Sequence, residues 1–599
     1  MNRIKLVVLL FVISNLFSST DDDYETISVV SKIPKSANTV ISSADKIDKT
    51  FLRNSQLKDL TSLLRESLAL DTSSNGGIGQ LSSVFLRGTN SNHMLVKVNG
   101  VKINPSTAGG ASIYNLDTDL INSVEIGYGP LSSVHGSEAV GGVMNISTKP
   151  IERESNYKIG IQGGPDNYQK ELLSFNYGFS ENIFTSFSGS RTKTDGFPAL
   201  SNSQLDRAYD NYTVISSVDF SMNDFNLDFS SWKAGGEIEY LVFGAPVSQD
   251  YENSAYGMTL SKRLSNESVN KLSVSTSEDF IKQNNPNFLG LLDLTKTKRD
   301  NLELSLIRNR NSKVLRFYNF GLDSEKEDVD YSSYGTTYQE KIRTNSIFGS
   351  LGLKLYGNPL NLTFRRSDHD TYKDNLSWNI EGMWNLSNEW RMGLTNGSSF
   401  RSPLSSELYG FGGNTNLKPE INKSTELNFK RDTKAQEISI AFFDSQLTNL
   451  IAFDYEDYVL KNITESTNKG LDIKYKLNEG LWNLSIFLRI QDPKDLEGNQ
   501  LLRRSKKSAS LTLTRETYKT VSSLNVSSFG KRLDFGNIDL PSYNLVNLSF
   551  SRRLNDRTTI FLKLENLFDE NYYTAAASNA FYLNQDRALW LKFNYETGR

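Results

Sequence analysis

Trp482-Asn483-Leu484-Ser485-Ile486-Phe487-Leu488-Arg489-Ile490 alternates with a period of two. Trp482, Leu484, Ile486, Leu488 and Ile490 fall on one face, and Asn483, Ser485, Phe487 and Arg489 on the other, as in a β-strand with one apolar and one mixed face. The pattern recurs. Val546, Leu548 and Phe550 alternate with Asn547, Ser549 and Ser551; Ile560, Leu562 and Leu564 alternate with Phe561, Lys563 and Glu565. At the end of the chain Leu589, Leu591, Phe593 and Tyr595 alternate with Trp590, Lys592 and Asn594. From about Tyr157 onward such segments follow one another between clusters of Asn, Asp, Gly and Ser. A soluble sandwich of short strands and a transmembrane barrel both accommodate this pattern. The long segments, with Tyr, Phe or Trp at their ends, favour a barrel whose apolar face meets lipid and whose polar face lines the lumen.

Working outward, the composition agrees. The chain has 599 residues, 37% apolar and 11% aromatic, with Tyr and Phe supplying 60 of them, yet its mean hydropathy is −0.44. A helical membrane protein is excluded because no run of about 18 apolar residues occurs, and so many large rings speak against disorder. A net charge of −3 leaves no basic footprint for nucleic acid. Without cysteine, disulfides and thiolate chemistry are excluded. Arg3 and Lys5 precede the apolar octet Leu6–Ile13 and then small polar residues, the layout of a secretory signal peptide, assigned to 1–19. Export through a bilayer with a polar-lined barrel places the protein in the outer membrane.

The part ahead of the barrel reads differently. Residues 55–70 carry Leu57, Leu60, Leu63, Leu64 and Leu68 at helical spacing, and Gly76, Gly77 and Gly79 then interrupt the chain. Short mixed strands follow at Ser83–Arg87, Met94–Val98 and Ser123–Ile126. This predicts a small α+β domain over 36–150, preceded by a tail over 20–35 and followed by the barrel over 151–599.

Two stretches of that domain, 82–104 and 123–148, resemble the plug of the TonB-dependent outer-membrane receptors. Phe400-Arg401-Ser402-Pro403, Glu407-Leu408-Tyr409, Asn416-Leu417-Lys418-Pro419-Glu420 and Glu565-Asn566-Leu567-Phe568-Asp569 resemble barrel signatures of the same family. The resemblance implies a barrel of 22 antiparallel strands with the N-terminal α+β plug domain folded inside its lumen. About 20 residues then serve each strand and its connection, which leaves short extracellular loops. Within the family the vitamin B12 (cobalamin) receptor group is most similar. Arg87-Gly88-Thr89-Asn90 with His93, Asn99-Gly100-Val101, and Asp492-Pro493-Lys494-Asp495 followed by Gly498 and Leu501–Arg504 carry that likeness. The chain departs from the group at Tyr128, where many relatives have Arg, at His135, where they have Tyr, and in the four residues after Tyr595.

The resemblance implies a TonB box at Glu25, Thr26, Ile27, Ser28, Val29 and Val30, which as an extended run of β-formers suits pairing with the edge of a partner sheet. No P-loop motif is present, and the resemblance implies that the work of transport comes from that periplasmic partner, TonB. The apical plug loop Asn90, Ser91, Asn92 and His93 is the expected contact for cargo, since neutral amides and hydroxyls suit a large polar ligand such as cobalamin. A ferric siderophore or haem is the alternative cargo, and a passive porin or adhesin the more distant alternative. Asp206, Asp210, Glu237 and Glu239 offer hard oxygen ligands for calcium, with solvated loop acids as the bland reading; no cofactor is required. Arg87, Glu125 and Glu138 read as structural charges able to find partners on the barrel wall. No nucleophile–base pair is discernible, so catalysis is not expected. The remaining expectations are a monomer in contact with outer-membrane lipid and no nucleic acid.

Overall fold

In the computed structural model, 26–32, 35–36, 39–242, 245–265, 267–284, 293–310, 312–333, 335–577 and 579–597 are described. The signal peptide and Glu25 lie outside these residues. Twenty-two long antiparallel strands close into a barrel, running from Asn156–Gly163 to Ala588–Glu596, which pair with each other to seal it. The strand Trp482–Gln491 behaves as its alternation demands: Trp482 and Ile490 are exposed on the outer wall, whereas Phe487 and Arg489 are buried inside. The same division holds for Tyr543–Arg553, Thr558–Glu565 and Ala588–Glu596. Apolar side chains on the outside of a closed sheet are stable only against lipid, and closure leaves no strand edge unpaired. The barrel is an outer-membrane barrel.

One end has short connections, such as those at 223–224, 356–357 and 480–481; the other carries longer ones at 195–208, 402–419, 492–506 and 566–587. Short turns face the periplasm and long loops the exterior.

Inside sits the plug. Its sheet has the order Ala44–Asp48, Ser123–Tyr128, Gly142–Ser147, Met94–Val98, Val101–Lys102, antiparallel except for the parallel pair Met94–Val98 with Gly142–Ser147. Gly142 is required where the strands meet, because a Cβ there would lie 2.2 Å from the carbonyl oxygen of Gly127. The helix expected over 55–70 is shorter, Leu60–Leu68, and a separate helix, Lys49–Ser55, precedes it. Gln56 takes a left-handed conformation that stops the first helix, and the Asp59 side chain accepts from the Ser62 amide to start the second. The apolar spacing was nonetheless informative, since Leu57, Leu60, Leu63, Leu64 and Leu68 all lie in the plug core with Val96, Val124, Ile126 and Met144.

The plug meets the wall differently. Part of the seam is apolar, with Leu172, Ile215, Trp232 and Phe487 of the wall joining the plug core, but the polar lumen face also brings buried ion pairs. Lys58 reaches Glu565 at 3.0 Å and lies over the Trp590 ring; Asp45 meets Lys474 at 2.8 Å; Asp117 meets Lys170 and Asp119 meets Lys592. Such pairs roughly recover their desolvation cost when intact. They hold a domain in place without making its removal as costly as separating an apolar core.

Candidate functional site

The plug has two working ends. At the periplasmic end lies the N-terminal segment. Thr26–Ile27 pairs antiparallel with Lys35–Ser36, and Ile27, Val29 and Val30 are buried with Val40, Leu95, Leu131, Ala139 and Val143. Burying each such side chain contributes about 1.5–3 kcal/mol.

Two polar groups secure the backbone. One oxygen of Glu125 accepts from the Ser28 amide at 2.9 Å, the Ser28 hydroxyl at 2.7 Å and the Val29 amide at 3.2 Å. The Nε2 of His135 donates to the Val29 carbonyl oxygen at 2.7 Å, and its Nδ1 accepts from the Lys97 ammonium at 3.0 Å. Beyond this grip Lys32 pairs with Glu303 on the wall at 2.5 Å. Burial first, then the Lys97 and Lys32 charges, hold the His135 imidazole well below its ordinary 6.5. Burial, with Lys32 next, brings Lys97 down to about 7, against the opposing pull of Glu303 and Asp323; Arg365 adds to the positive field on both.

The sign follows. The docked segment disfavours the proton on His135 by covering it and by bringing the Lys32 ammonium near, which together outweigh the opposite pull of the Val29 carbonyl. Docking by this contact is complete above 6.5 and weakens as pH falls below that value. Lys97 acts in the same direction over its own range, from 10.5 down to about 7. Protection of the amides of residues 27–30, taken relative to the intrinsic exchange rate at each pH, is therefore expected to fall on acidification from pH 7.5 to about 5.5, and His135→Gln should flatten that dependence. Glu125→Ala should raise exchange there by about 30-fold or more at any pH, since charge-assisted hydrogen bonds are worth about 2–3 kcal/mol. Unchanged exchange in Glu125→Ala would remove Glu125 from the grip.

At the exterior end stands the loop 90–93. Asn90 is exposed and Ser91 and Asn92 partly so, whereas His93 is 1% exposed. The His93 ring is held on the wall: Nε2 lies 2.7 Å from Glu420, which also binds Arg401 at 2.5 Å, and Nδ1 accepts from the Asn90 amide at 3.2 Å. Against its reading as a direct cargo contact, His93 shapes the loop from behind and presents no free edge to the mouth. Asn90 Oδ1 accepts from Arg504 at 2.6 Å, and the same guanidinium reaches the Thr89 carbonyl. Asn90, Ser91 and Asn92 thus stand at the floor of the exterior opening on a loop clamped from two sides.

Between the two ends Arg87 crosses from plug to wall. It has a left-handed φ of 45°, is 4% exposed, and binds Glu426 at 2.6 Å and Asp472 at 3.1 Å. Asp472 is shared with Arg489 of the wall at 2.7 Å. The Tyr128 ring, standing where many relatives have Arg, receives both guanidinium groups, Arg87 at 4.9 Å and Arg489 at 5.8 Å from its centre. Of the three charges read as structural, Arg87 finds the wall, Glu138 pairs within the plug with Lys102 at 3.2 Å, and Glu125 serves the N-terminal segment. That role and the part played by His135 had no signature in the sequence beyond the unusual histidine itself.

The four acids at the rim are not gathered into one set. Asp210 sits opposite Glu237 in the strand register but is bound by Arg191 at 3.0 Å and Lys193 at 3.2 Å. Glu239 accepts from the Ala208 amide, and Asp206 is on the exposed loop before it. Among the described residues no group of three or more His, Asp or Glu converges as metal ligands would.

Comparison with known proteins returns to both domains. Residues 155–567 match the family described as TonB dependent receptor-like, beta-barrel, and residues 36–143 match the TonB-dependent Receptor Plug Domain. The chain is 24% identical to the vitamin B12 transporter BtuB of Vibrio vulnificus, over 99% of this chain and 98% of that one. It is 25% identical to the vitamin B12 transporter BtuB of Photobacterium profundum, over 97% of each. Among solved structures it is similar to the ferric enterobactin receptor PfeA of Pseudomonas aeruginosa, with a TM-score of 0.79 and 15% identity over 93% of this chain and 99% of that one. The ferripyoverdine receptor of the same organism gives a TM-score of 0.80 and 12% identity over 96% of this chain and 89% of that one. At these identities the solved structures speak for the fold.

Proposed function

The chain belongs to the TonB-dependent receptors of the outer membrane, and from that membership we propose that its cargo is cobalamin or a closely related corrinoid. Transport across the outer membrane driven through TonB is the activity of the family. The observation that carries the cargo is the end-to-end likeness to proteins named as vitamin B12 transporters, spanning plug, barrel and loops together. The chemistry of the exterior floor supports it: Asn90 and Ser91 present an amide and a hydroxyl, groups that match the peripheral amides of a corrin without demanding charge. A ferric chelate bearing catecholates would draw on cations, and the nearest one, Arg504, is already engaged with Thr89 and Asn90.

In this reading cargo settles on the loop 90–93 from outside, and TonB takes residues 25–30 from the periplasm as an added strand. A docked Ile27–Val30 segment has its main-chain groups committed to Glu125 and His135, so partner pairing and docking exclude each other. Release of the grip is the step that lets the partner engage.

Equilibrium binding of cyanocobalamin to the detergent-purified receptor, with and without calcium, tests the cargo. We expect nanomolar binding, weakened about tenfold by Asn90→Ala combined with Asn92→Ala, the loss of one or two neutral hydrogen bonds. A calcium-dependent gain in affinity that is lost when Asp206, Asp210, Glu237 and Glu239 are replaced by their amides would assign these acids to an ion. Absence of cyanocobalamin binding beside nanomolar binding of a ferric siderophore would overturn the corrinoid assignment and leave the transporter standing.

A further inference from the structure

The plug fills the periplasmic half of the barrel unevenly. On one side Lys32, Ser42, Ser43 and Asp45 fasten it to Glu303, Glu381, Glu426 and Lys474 of the wall. On the opposite side, against the strands between 156 and 180 and between 516 and 596, a cavity of about 550 Å³ stands open between the wall and the helix Lys49–Ser55. The turns at 517–519 and 554–557 lie on its rim, so it opens to the periplasm. A narrower cavity of about 20 Å³, between Leu57, Glu66 and Asn547, continues it inward. The helix Leu60–Leu68 stands between that cavity and a further one beneath Gly76–Gly79, on the exterior side beside Phe197.

The lining of this vestibule carries seven Lys or Arg and seven Asp or Glu, so it offers no net charge by which to select an ion. Its neutral groups are distinctive. Asn594 stands opposite Thr559 on one neighbouring strand and opposite Gly160 on the other, and Gln162 follows Gly160 on the same inward face. Asn594 is 7% exposed, and its Oδ1 has no hydrogen-bond partner among the described residues. The side chains of Gln162 and Thr559 make no hydrogen bond among the described residues either. A buried amide left unpaired is costly unless something else satisfies it, and the nearby Lys592 is engaged with Asp119. Gly160 keeps the space beside that amide free, since a Cβ there would lie 2.7 Å from Asn594 Oδ1. Leu52 and Phe561 add apolar surface to the same cavity. Unengaged amides and a hydroxyl beside apolar surface, with charges in balance, suit a large neutral ligand that carries amides of its own.

We propose that the vestibule is a second cargo site, on the exit side, where a corrinoid leaving the plug rests peripheral amides on Gln162, Thr559 and Asn594 before it enters the periplasm. The inference rests on the corrinoid reading above and adds to it a contact on the periplasmic face. The site takes one edge of the macrocycle, since the cavity is open at its rim. It lies across the barrel from the N-terminal segment, so a partner engaged there leaves this outlet clear.

The chain has no cysteine, so one small fluorophore can be placed on Asp556→Cys, at the rim of the vestibule, or on Tyr356→Cys, in a fully exposed turn across the barrel. Cyanocobalamin, which absorbs visible light, is titrated into each labelled receptor in detergent, where both faces are accessible. Quenching is expected at Asp556→Cys, with a half-point at least about a hundredfold above the concentration that fills the exterior floor, and none at Tyr356→Cys. Asn594→Leu should raise that half-point about tenfold, the worth of one neutral hydrogen bond, and Gln162→Trp, which fills the cavity, should abolish the quenching. Neither should change the exterior affinity, whereas Asn90→Ala combined with Asn92→Ala should weaken the exterior site alone. Heat-modifiable migration on gels establishes that each barrel is closed. Equal quenching at the two labels, no quenching at Asp556→Cys up to about 1 mM, or a signal unmoved by both vestibule variants would overturn this site and leave the cargo assignment standing. Absence of a high-affinity exterior site for cyanocobalamin would overturn both. Should Gln162→Trp fail to close, Asn594→Leu, which nearly keeps the volume, still decides.

Discussion

Removal of residues 25–30 is expected to reduce energised uptake to background, a loss of at least a hundredfold, while leaving cargo affinity within a factor of two. The reason is the separation of the two working ends. Residues 26–30 lie at the periplasmic face, held by Glu125 and His135, whereas the exterior floor at 90–93 is anchored by Glu420 and Arg504. Strand addition derives its affinity from main-chain hydrogen bonds, so the deletion takes away the whole contact with the partner and nothing from the cargo side. Radiolabelled uptake by cells, set beside binding to the same cells with the proton gradient collapsed, separates the two quantities. A milder variant sharpens the point. Ile27→Pro removes one amide and disfavours extended pairing, and should impair uptake almost as much as the deletion does. If the deleted receptor still concentrated cargo, energy coupling through this segment would be wrong.

The second large effect concerns the seat of the plug. Arg87→Met should destabilise the plug inside an intact barrel by about 3–5 kcal/mol, the usual cost of leaving a buried partner unpaired. Asp472 keeps Arg489, so the penalty falls mainly on Glu426. That carboxylate retains only the Ser43 amide and the Asn428 side chain. Urea titration followed through a plug-specific probe should show an earlier plug transition, with barrel unfolding unmoved. Adding Glu426→Leu ought to recover part of the loss, because an apolar pair in place of an ion pair is often nearly neutral. A plug transition identical to that of the wild type in Arg87→Met would mean that the apolar core of the plug and its other ion pairs suffice to seat it.

These effects share one physical origin. A barrel whose outer face must be apolar turns most of its polar residues to the lumen, and a domain seated there is fastened by charges in matched pairs beside the few wall residues that join its apolar core. Arg87 with Glu426 and Asp472, Lys58 with Glu565, and Asp45 with Lys474 all follow from that constraint. The N-terminal segment is held by an apolar cluster of its own and by a carboxylate with three donors, and in the proposed function it is the element that the partner takes.

The alternation in Trp482–Ile490 and its counterparts was enough to assign lipid and lumen faces, because a strand's two faces are set by consecutive residues and require no knowledge of its neighbours. The leucine spacing over 57–68 located core residues for the same reason, although the break between the two helices depended on the local conformation of Gln56 and the cap at Asp59. What Glu125, His135 and Arg87 do was not legible in this way. Their partners stand 97, 106 and 339 residues away along the chain, and a carboxylate in a short plug strand looks the same whether it faces solvent, a wall arginine or the amides of Ser28 and Val29. His93 shows the converse, a residue well placed by sequence in the apical loop but turned to Glu420 by the way that loop rests on the barrel. Local periodicity determined the layers of this protein; the seating of the plug in the closed barrel decided which charges meet, because only closure brings the plug's loops and the inner faces of distant strands within reach of one another.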